Sequence, residues 1–316
     1  MSLPAFIEPL GHGVYAIDTG FHRERFDAAY LMVQGGRAAF IDTGTNFSVP
    51  RLVGALQALD LERDAVEWVI PTHVHLDHAG GVGLLMSQLP HARLLVHPRG
   101  ARHMIDPTAL YQGALAVYGQ QEMDRAYGQI LGVDAGRVDA SQDGMTVELA
   151  GRALTLIDTP GHAWHHHCIW DEATQGWFTG DTFGLSYREF DTAQGAWIMP
   201  TSTPVQFEPD ALRHSVHRLM ERSPQAMYLT HYSRVGAVPA LAQTLLQLLE
   251  RTVTLALDLT GHPARHQALK TALHNLYVED LLRHGAPHTP EQIAELLAVD
   301  IELNAQGIAV WLDRTR

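Results

Sequence analysis

Four potential metal ligands lie within six residues, directly after an apolar run of the sequence. The run EWVIPT at 67–72 is typical of a buried strand, and THVHLDHAGG at 72–81 follows it. In an extended segment side chains alternate between two faces, so His73 and His75 point the same way and can bind one metal ion. Asp77 and His78 lie where the strand gives way to a glycine-bearing turn, from which they can bind a second ion. The spacing predicts a metal site where a strand ends.

Three further ligand candidates each follow an apolar, strand-like run. His162 stands in TPGH, Asp181 in FTGD and His231 in YLTH. Because each comes where a predicted strand ends, we expect all three at one edge of the sheets. A carboxylate such as that of Asp181 can bridge two cations, because both of its oxygens carry lone pairs. Together with the histidine cluster, the sequence offers seven ligands for two metal ions.

Short β-rich runs alternate with helical patterns in the first half of the chain. The runs at 14–18, 29–33 and 37–42 predict strands, and apolar spacing over 48–60 predicts a helix. RAAFIDTG in the third of these strands is echoed by RALTLIDTPG at 152–161. The echo indicates two similar β-rich halves packed face to face, with helices outside.

The sequence becomes strongly helical toward its C-terminal end. The run ALAQTLLQLLERTVTLAL predicts a long helix, and Thr289 with Gln292 has the spacing of a capping box at the start of another. We therefore predict a catalytic domain at 1–235 and a helical C-terminal region at 236–316. The helical region is also a candidate face for a homodimer.

Taken in order, the seven ligand candidates resemble the pattern of the metallo-β-lactamase superfamily, which is HxHxDH, then a single His, then Asp, then His. The resemblance spans roughly residues 12–235. It implies an α/β fold, the αββα four-layer metallo-β-lactamase sandwich, here with a C-terminal helical appendage. It implies one ion bound by His73, His75 and His162, a second bound by Asp77, His78 and His231, and Asp181 between the two.

Two further residues match recurrent positions of the family. Asp42 in IDTG matches a position that supports the ligands, where a carboxylate accepting a ligand histidine's free N–H would fix its tautomer. The set THxHxDHxGG, PGHxxxH and GDT is most similar to the glyoxalase II-like and related small-molecule hydrolase branches. His166 matches the second His of PGHxxxH, where we expect packing or hydrogen bonding rather than metal binding. His75 stands where the flavodiiron branch has Glu, and no tRNA-binding insertion is recognisable.

The resemblance implies a binuclear metal-dependent hydrolase of a small-molecule ester, thioester or related substrate. Two divalent ions, with zinc as the first choice and iron or manganese as alternatives, would share a bridging hydroxide that Asp77 orients. Three alternatives stay open: a mononuclear-iron enzyme similar to persulfide dioxygenases, a phosphodiesterase of the same fold, and a metal-binding module without catalysis. Lactonases of the superfamily often carry a tyrosine three residues after the bridging Asp, where this chain has Gly184.

The stretch 182–208 begins one residue after Asp181 and so starts beside the predicted metal site. It supplies apolar and polar side chains of the kind that line small-ligand pockets. The pocket candidates are Tyr187, Arg188, Trp197 and Met199, together with His22, which follows a strand near the sheet edge. The alternative for Trp197 and Met199 is that they pack the helical region onto the core.

Composition limits the partners and the compartment. A net charge of −13 argues against nucleic-acid binding, because neutralising phosphates requires clustered Lys and Arg. The single Cys168 excludes an internal disulfide framework and favours a reducing compartment. With no secretory signal visible and no apolar run of membrane-spanning length, we expect a cytoplasmic protein that acts on a small molecule without a membrane.

Overall fold

The computed structural model of the protein describes residues 3–202, 204 and 206–315. The chain divides into two compact units. The first unit consists of Met1–Asp158, His165–Gly180 and Pro224–Gly236. The second unit consists of Thr159–Trp164, Asp181–Ser223 and Ala237–Arg316.

The first unit contains two β-sheets. The strands of the seven-stranded sheet, which lie in sequence order, are β1 (Ile7–Gly11), β2 (Val14–Asp18), β3 (Ala28–Gln34), β4 (Arg37–Ile41), β5 (Val66–Ile70), β6 (Arg93–Val96) and β7 (Val138–Ala140). Strands β1 to β4 pair antiparallel, and β4 to β7 pair parallel. The strands of the six-stranded sheet are β8 (Thr146–Leu149), β9 (Arg152–Asp158), β10 (His167–Asp171), β11 (Gly176–Gly180), β12 (Ala226–Leu229) and β13 (Ser233–Val235).

The two sheets pack face to face through one apolar core. Ile41 and Ile70 of the first sheet share a buried cluster with Leu156, Ile169 and Phe178 of the second. Since side chains alternate along a strand, the neighbours of the inward-facing residues point to the other side of the first sheet. There they form a second cluster with helices, as expected for β-rich halves with helices outside. The strands that carry the two IDT echoes, β4 and β9, lie in different sheets.

Helices cover the remainder of both units. Those of the first unit are α1 (Val49–Ala58), α2 (Leu76–Ala79), α3 (Val82–Gln88), α4 (Pro98–Ile105), α5 (Thr108–Tyr118) and α6 (Gln120–Glu122), followed by a π-helical turn at Met123–Tyr127. Those of the second unit are α7 (Pro209–Met220), α8 (Val238–Asp258), α9 (Arg265–Arg283), α10 (Pro290–Leu296) and α11 (Ala298–Arg314). The predicted capping box at Thr289 is confirmed at the start of α10. Among the described helices, none combines the length and hydropathy needed to cross a membrane.

The second unit joins the helical region to two earlier segments of the chain. A boundary between the units falls at Gly236 and Ala237, close to the predicted end of the catalytic domain. However, Thr159–Trp164 and Asp181–Ser223 group with the C-terminal helices. One cause is side-chain contact, since Trp197 Nε1 donates to Asp280 of α9 over 2.9 Å. The division into functional domains at 1–235 and 236–316 stays a prediction.

A buried histidine makes the stability of the first unit depend on pH. His167 begins β10, and its imidazole bonds with Ser141 Oγ at 2.9 Å and with the Pro71 carbonyl at 3.0 Å. Burial lowers the pKa of His167 to about 3, so the folded state keeps the ring neutral where the unfolded chain takes up a proton. Its contribution to stability is therefore complete above pH 6.5 and is lost as the pH falls toward 3.

We expect His167→Asn to flatten the acid limb of the stability profile. Between pH 6 and 4 the free energy of unfolding of the wild type should fall more steeply than that of the variant, by up to about 1.4 kcal/mol per pH unit. Urea unfolding at a series of pH values measures both slopes. Equal slopes in the two proteins would show that His167 titrates alike in the folded and unfolded states.

Candidate metal centre

The first four ligand candidates lie in the connection that follows β5. This connection differs from the predicted extended segment: it bends at Thr72, His73 and His75, and a short helix, α2, then carries Asp77 and His78. Part of the cause lies in the backbone pairing, because the Thr72 N–H donates to the Asp42 carboxylate over 2.7 Å rather than to a neighbouring strand. His73 and His75 nevertheless meet, with His73 Nε2 and His75 Nδ1 separated by 2.7 Å.

His78 and His231 of the first unit both present Nε2 to Asp77. His78 Nδ1 lies 2.9 Å from Asp42 Oδ2, and His231 Nδ1 lies 2.9 Å from the Phe26 carbonyl oxygen. Because each acceptor takes the Nδ1 proton, the lone pair of each ring is on Nε2. The two Nε2 atoms lie 3.7 and 3.5 Å from Asp77 Oδ2. An anchored N–H with the opposite nitrogen left as a lone pair is the arrangement of metal-binding histidines.

His73 and His162 are oriented in the same way, whereas His75 presents Nδ1 to His73. His73 Nδ1 lies 3.2 Å from Thr72 Oγ1, whose own proton goes to the Asp42 carboxylate. In the second unit, His162 Nδ1 lies 3.4 Å from the Thr201 carbonyl oxygen, and its Nε2 lies 3.3 Å from Asp181 Oδ2.

Within the first unit, Asp77, His78 and His231 have ligand atoms that all lie within 4.8 Å of one another. This group has the membership that the resemblance implies for one of the two ions. Imidazole nitrogens with carboxylate oxygens suit zinc and other first-row divalent cations, so the donor set fits the implied metals.

Asp42 connects the segments that carry the ligands of the first unit. Its carboxylate accepts the Thr72 N–H and hydroxyl, lies 2.9 Å from His78 Nδ1, and accepts the Thr230 hydroxyl over 2.8 Å. Thr72 and Thr230 immediately precede the ligand candidates His73 and His231. Asp42 is 1% exposed and has a positive φ of 55°, which Asp and Asn tolerate better than most residues.

We expect Asp42→Asn to lower metal affinity while the chain stays folded. Asparagine tolerates the same backbone, but one of its two terminal atoms is a donor, so the His78 or threonine contacts lose an acceptor. Loss of a carboxylate that orients a ligand histidine typically weakens metal affinity about 10- to 100-fold. Competition with a chromogenic chelator measures the affinity, and Asp139→Asn, which alters a partly exposed carboxylate paired with Arg93, is the control. Unchanged affinity in Asp42→Asn would contradict a supporting role for Asp42.

Sequence reasoning missed Thr72, Thr230 and Gly180. A Cβ on Gly180, whose φ is +47°, would lie 2.5 Å from Thr72 Oγ1 and 2.6 Å from His166 Nε2. Only glycine therefore lets the end of β11 approach these residues without displacement. Two features of the sequence could have indicated these residues. A Thr–His pair occurs at both 72–73 and 230–231, and a glycine directly precedes Asp181.

The histidines around β10 are packed within the first unit. His166 is fully buried, and its ring stacks on that of His73 with centroids 4.8 Å apart. His165 and His167 are also buried, at 6% and 1% exposed. Strand β10 begins only at His167, so His165 and His166 precede the strand. His165 Nδ1 accepts the Val74 N–H over 3.4 Å.

Most of the predicted pocket residues of the second unit are buried or make contacts within that unit. Tyr187, Trp197 and Met199 are at most 1% exposed. The Tyr187 hydroxyl donates to Asp300 of α11 over 3.0 Å, and Arg188 Nη1 lies 3.3 Å from Asp191. These contacts agree with the packing alternative for Trp197, and a role of the four residues in a pocket stays a prediction.

His22, the pocket candidate of the first unit, is exposed and lies near a ligand candidate. Its ring lies 5.3 Å from that of Phe26, and the Phe26 ring contacts His231 at 5.2 Å. The same loop therefore carries His22 and the carbonyl that orients His231.

Comparison with known proteins identifies the family. A family model described as the metallo-beta-lactamase superfamily matches residues 22–231, more than half of the chain. An acyl-coenzyme A thioesterase of Homo sapiens is 28% identical over 190 residues, which are 54% of this chain and 64% of that protein. An atrochrysone carboxyl ACP thioesterase of Aspergillus chevalieri is 28% identical over 153 residues, 48% of this chain and 38% of that protein. The matched part thus spans less than two thirds of either relative.

Solved structures have the same fold. A metallo-beta-lactamase superfamily protein from Sulfolobus tokodaii has a TM-score of 0.62 at 21% identity, covering 90% of this chain and 99% of that one. A family protein from Thermus thermophilus has a TM-score of 0.64 at 20% identity, covering 92% and 95%. The αββα fold class predicted from the sequence is therefore confirmed. This chain belongs to the metallo-beta-lactamase superfamily.

Proposed function

We propose that the protein is a metal-dependent hydrolase of small-molecule thioesters or esters. It would bind two divalent ions, with zinc as the first choice of metal. The observation that carries the proposal is the convergence of His78 Nε2 and His231 Nε2 on Asp77, with both Nδ1 protons held by other acceptors. Such a set binds a cation without first losing a proton from either ring, which favours binding near neutral pH. Two of the related proteins are named thioesterases, which supports a thioester substrate.

Each ligand set has a defined part in the proposal. His73, His75 and His162 would hold one ion, Asp77, His78 and His231 the other, and Asp181 would lie between them. Bound divalent ions supply a water acidic enough to attack near neutral pH and polarise the carbonyl of the substrate.

Asp77 is the residue of this set best suited to handle the water. Its side chain is 25% exposed, whereas those of His78 and His231 are 0% and 5% exposed. One carboxylate oxygen faces the two histidines, so the other can accept a hydrogen bond from water. Asp77 would orient the attacking water, accept its proton and pass that proton to the departing sulfur or oxygen, which leaves as the thiol or alcohol. The buried histidines keep fixed orientations and take no part in proton transfer.

A metal analysis followed by a substrate panel tests the proposal. Protein purified without added metal should contain up to two ions per chain and hydrolyse acetyl and decanoyl thioesters of N-acetylcysteamine. A chelator should abolish this activity, and zinc should restore it. Hydrolysis of a phosphodiester alone would favour the phosphodiesterase alternative. One iron per chain with oxygen consumption would favour the dioxygenase alternative, and metal without turnover a binding module.

The partners, the location and the oligomeric state expected from the sequence are also proposals. A small-molecule substrate without nucleic acid follows from the acidic charge, and a cytoplasmic location follows from the single cysteine. A homodimer through the helical region is tested by sedimentation of the intact chain.

A further inference from the structure

Helix α5 of the first unit is apolar and none of its side chains is buried. Its sequence, TALYQGALAVY, contains no charged residue, and Val117 is 36% exposed. Phe47, in the connection after β4, is 58% exposed. A Cβ on Gly128 would lie 3.4 Å from the Phe47 ring, which places Phe47 against the segment that follows the π-helical turn. We call α5 and Phe47 the α5 surface. Tyr127, the neighbour of Gly128 in sequence, lies against Tyr118 of α5, so Phe47 and the end of α5 both contact this segment. Exposed apolar surface often marks a binding site.

A row of aromatic rings connects the α5 surface with the candidate metal centre. Starting at His231, ring centroids follow one another at 5.2 Å to Phe26, 5.9 Å to Phe21, 5.5 Å to Tyr127 and 5.4 Å to Tyr118 of α5. All of these residues belong to the first unit. Burial raises the pKa of Tyr127, and the charge of Asp77 adds to the effect. Phe26, Phe21 and Tyr127 are buried, so the row is packing inside the first unit. It places the C-terminal end of α5 on the same side of this unit as His231, one of the side chains proposed to hold an ion.

The chemistry of the α5 surface selects one part of a thioester. The surface offers alkyl and aromatic groups without a charge, so it does not suit a phosphate or a carboxylate. An acyl chain extends from the scissile carbonyl and gains free energy for each methylene that leaves water. We propose that the α5 surface binds the acyl chain of the substrate, so that the protein prefers medium or long acyl groups. This inference rests on the proposed hydrolase function.

Chain-length dependence tests the inference on the metal-loaded full chain. For thioesters of N-acetylcysteamine from acetyl to decanoyl, kcat/KM should rise about three- to fourfold with each methylene that the surface buries. Phe47→Gln and Val117→Gln should each lower the decanoyl-to-acetyl ratio of kcat/KM about tenfold and leave acetyl hydrolysis unchanged. The matched control is Leu257→Gln, which alters a 55% exposed leucine of α8 and should leave the ratio unchanged. Circular dichroism establishes that each variant is folded.

A binding measurement separates this inference from the proposed function. The decyl thioether of N-acetylcysteamine, which cannot be hydrolysed, should bind more tightly than the ethyl thioether in calorimetry. Tighter binding of the decyl compound without hydrolysis of any thioester would support the α5 surface and overturn the hydrolase. Hydrolysis with equal kcat/KM for acetyl and decanoyl substrates would overturn the acyl-chain site alone. An unchanged ratio in the variants, together with loss of a dimer in sedimentation, would overturn it in favour of a second copy.

Discussion

Replacing His73 by alanine is expected to abolish hydrolysis and to reduce the metal content of the purified protein. His73 is one of the residues proposed to hold an ion, and its Nε2 lies 2.7 Å from Nδ1 of His75, so its loss removes a ligand at this point. Without a bound ion, water has a pKa of about 15.7 and is a poor nucleophile near neutral pH. We therefore expect kcat/KM to fall by at least about 10³-fold. Plasma emission spectrometry and thioester hydrolysis measure the two effects.

His97→Ala is the matched control for this prediction. His97 is 6% exposed and lies 3.0 Å from an Asp158 oxygen, so it resembles the ligand histidines in burial and in its carboxylate partner. Among the described residues it belongs to no group of possible metal ligands. Metal content and activity should stay within a few-fold of the wild type. Full activity in His73→Ala, or equal losses in the two variants, would contradict the ligand assignment.

Replacing Arg152 by alanine is expected to destabilise the first unit by about 3–5 kcal/mol. Arg152 begins β9 and Asp171 ends β10, and two parallel hydrogen bonds of 2.8 and 2.5 Å join their side chains. The guanidinium is 3% exposed and the carboxylate is fully buried. Removing the arginine therefore leaves an uncompensated charge inside the protein. Urea unfolding followed by circular dichroism measures the loss.

Arg93 provides a control with the same geometry at the surface. Its side chain joins Asp139 by two hydrogen bonds of 2.5 and 2.7 Å, but the two side chains are 44% and 34% exposed. Arg93→Ala should cost only about 0–1 kcal/mol, because water solvates the remaining carboxylate. The double variant Arg152→Met with Asp171→Leu should recover much of the stability lost in Arg152→Ala. Similar costs for the two arginine variants would contradict the argument from burial.

Much of the fold followed from local patterns. The strands at 14–18 and 29–33 and the helix beginning near 48 are present within one or two residues, because alternating and helical apolar spacing reflects burial directly. The connection after β5 was predicted wrongly as extended. There the backbone of Thr72 pairs with a side chain distant in sequence, which no local pattern reveals.

The sequence by itself determined the identity and order of the seven ligand candidates, because side chains at the ends of apolar runs can be found without coordinates. Only the tertiary structure decided how these side chains are oriented. Asp42 accepts from Thr72 and Thr230, which are 30 and 188 residues away along the chain, and its contact with His78 fixes the tautomer of that ring. Such hydrogen bonds depend on which strand ends become neighbours. That is a property of the packed sheets and leaves no periodic signal in the sequence.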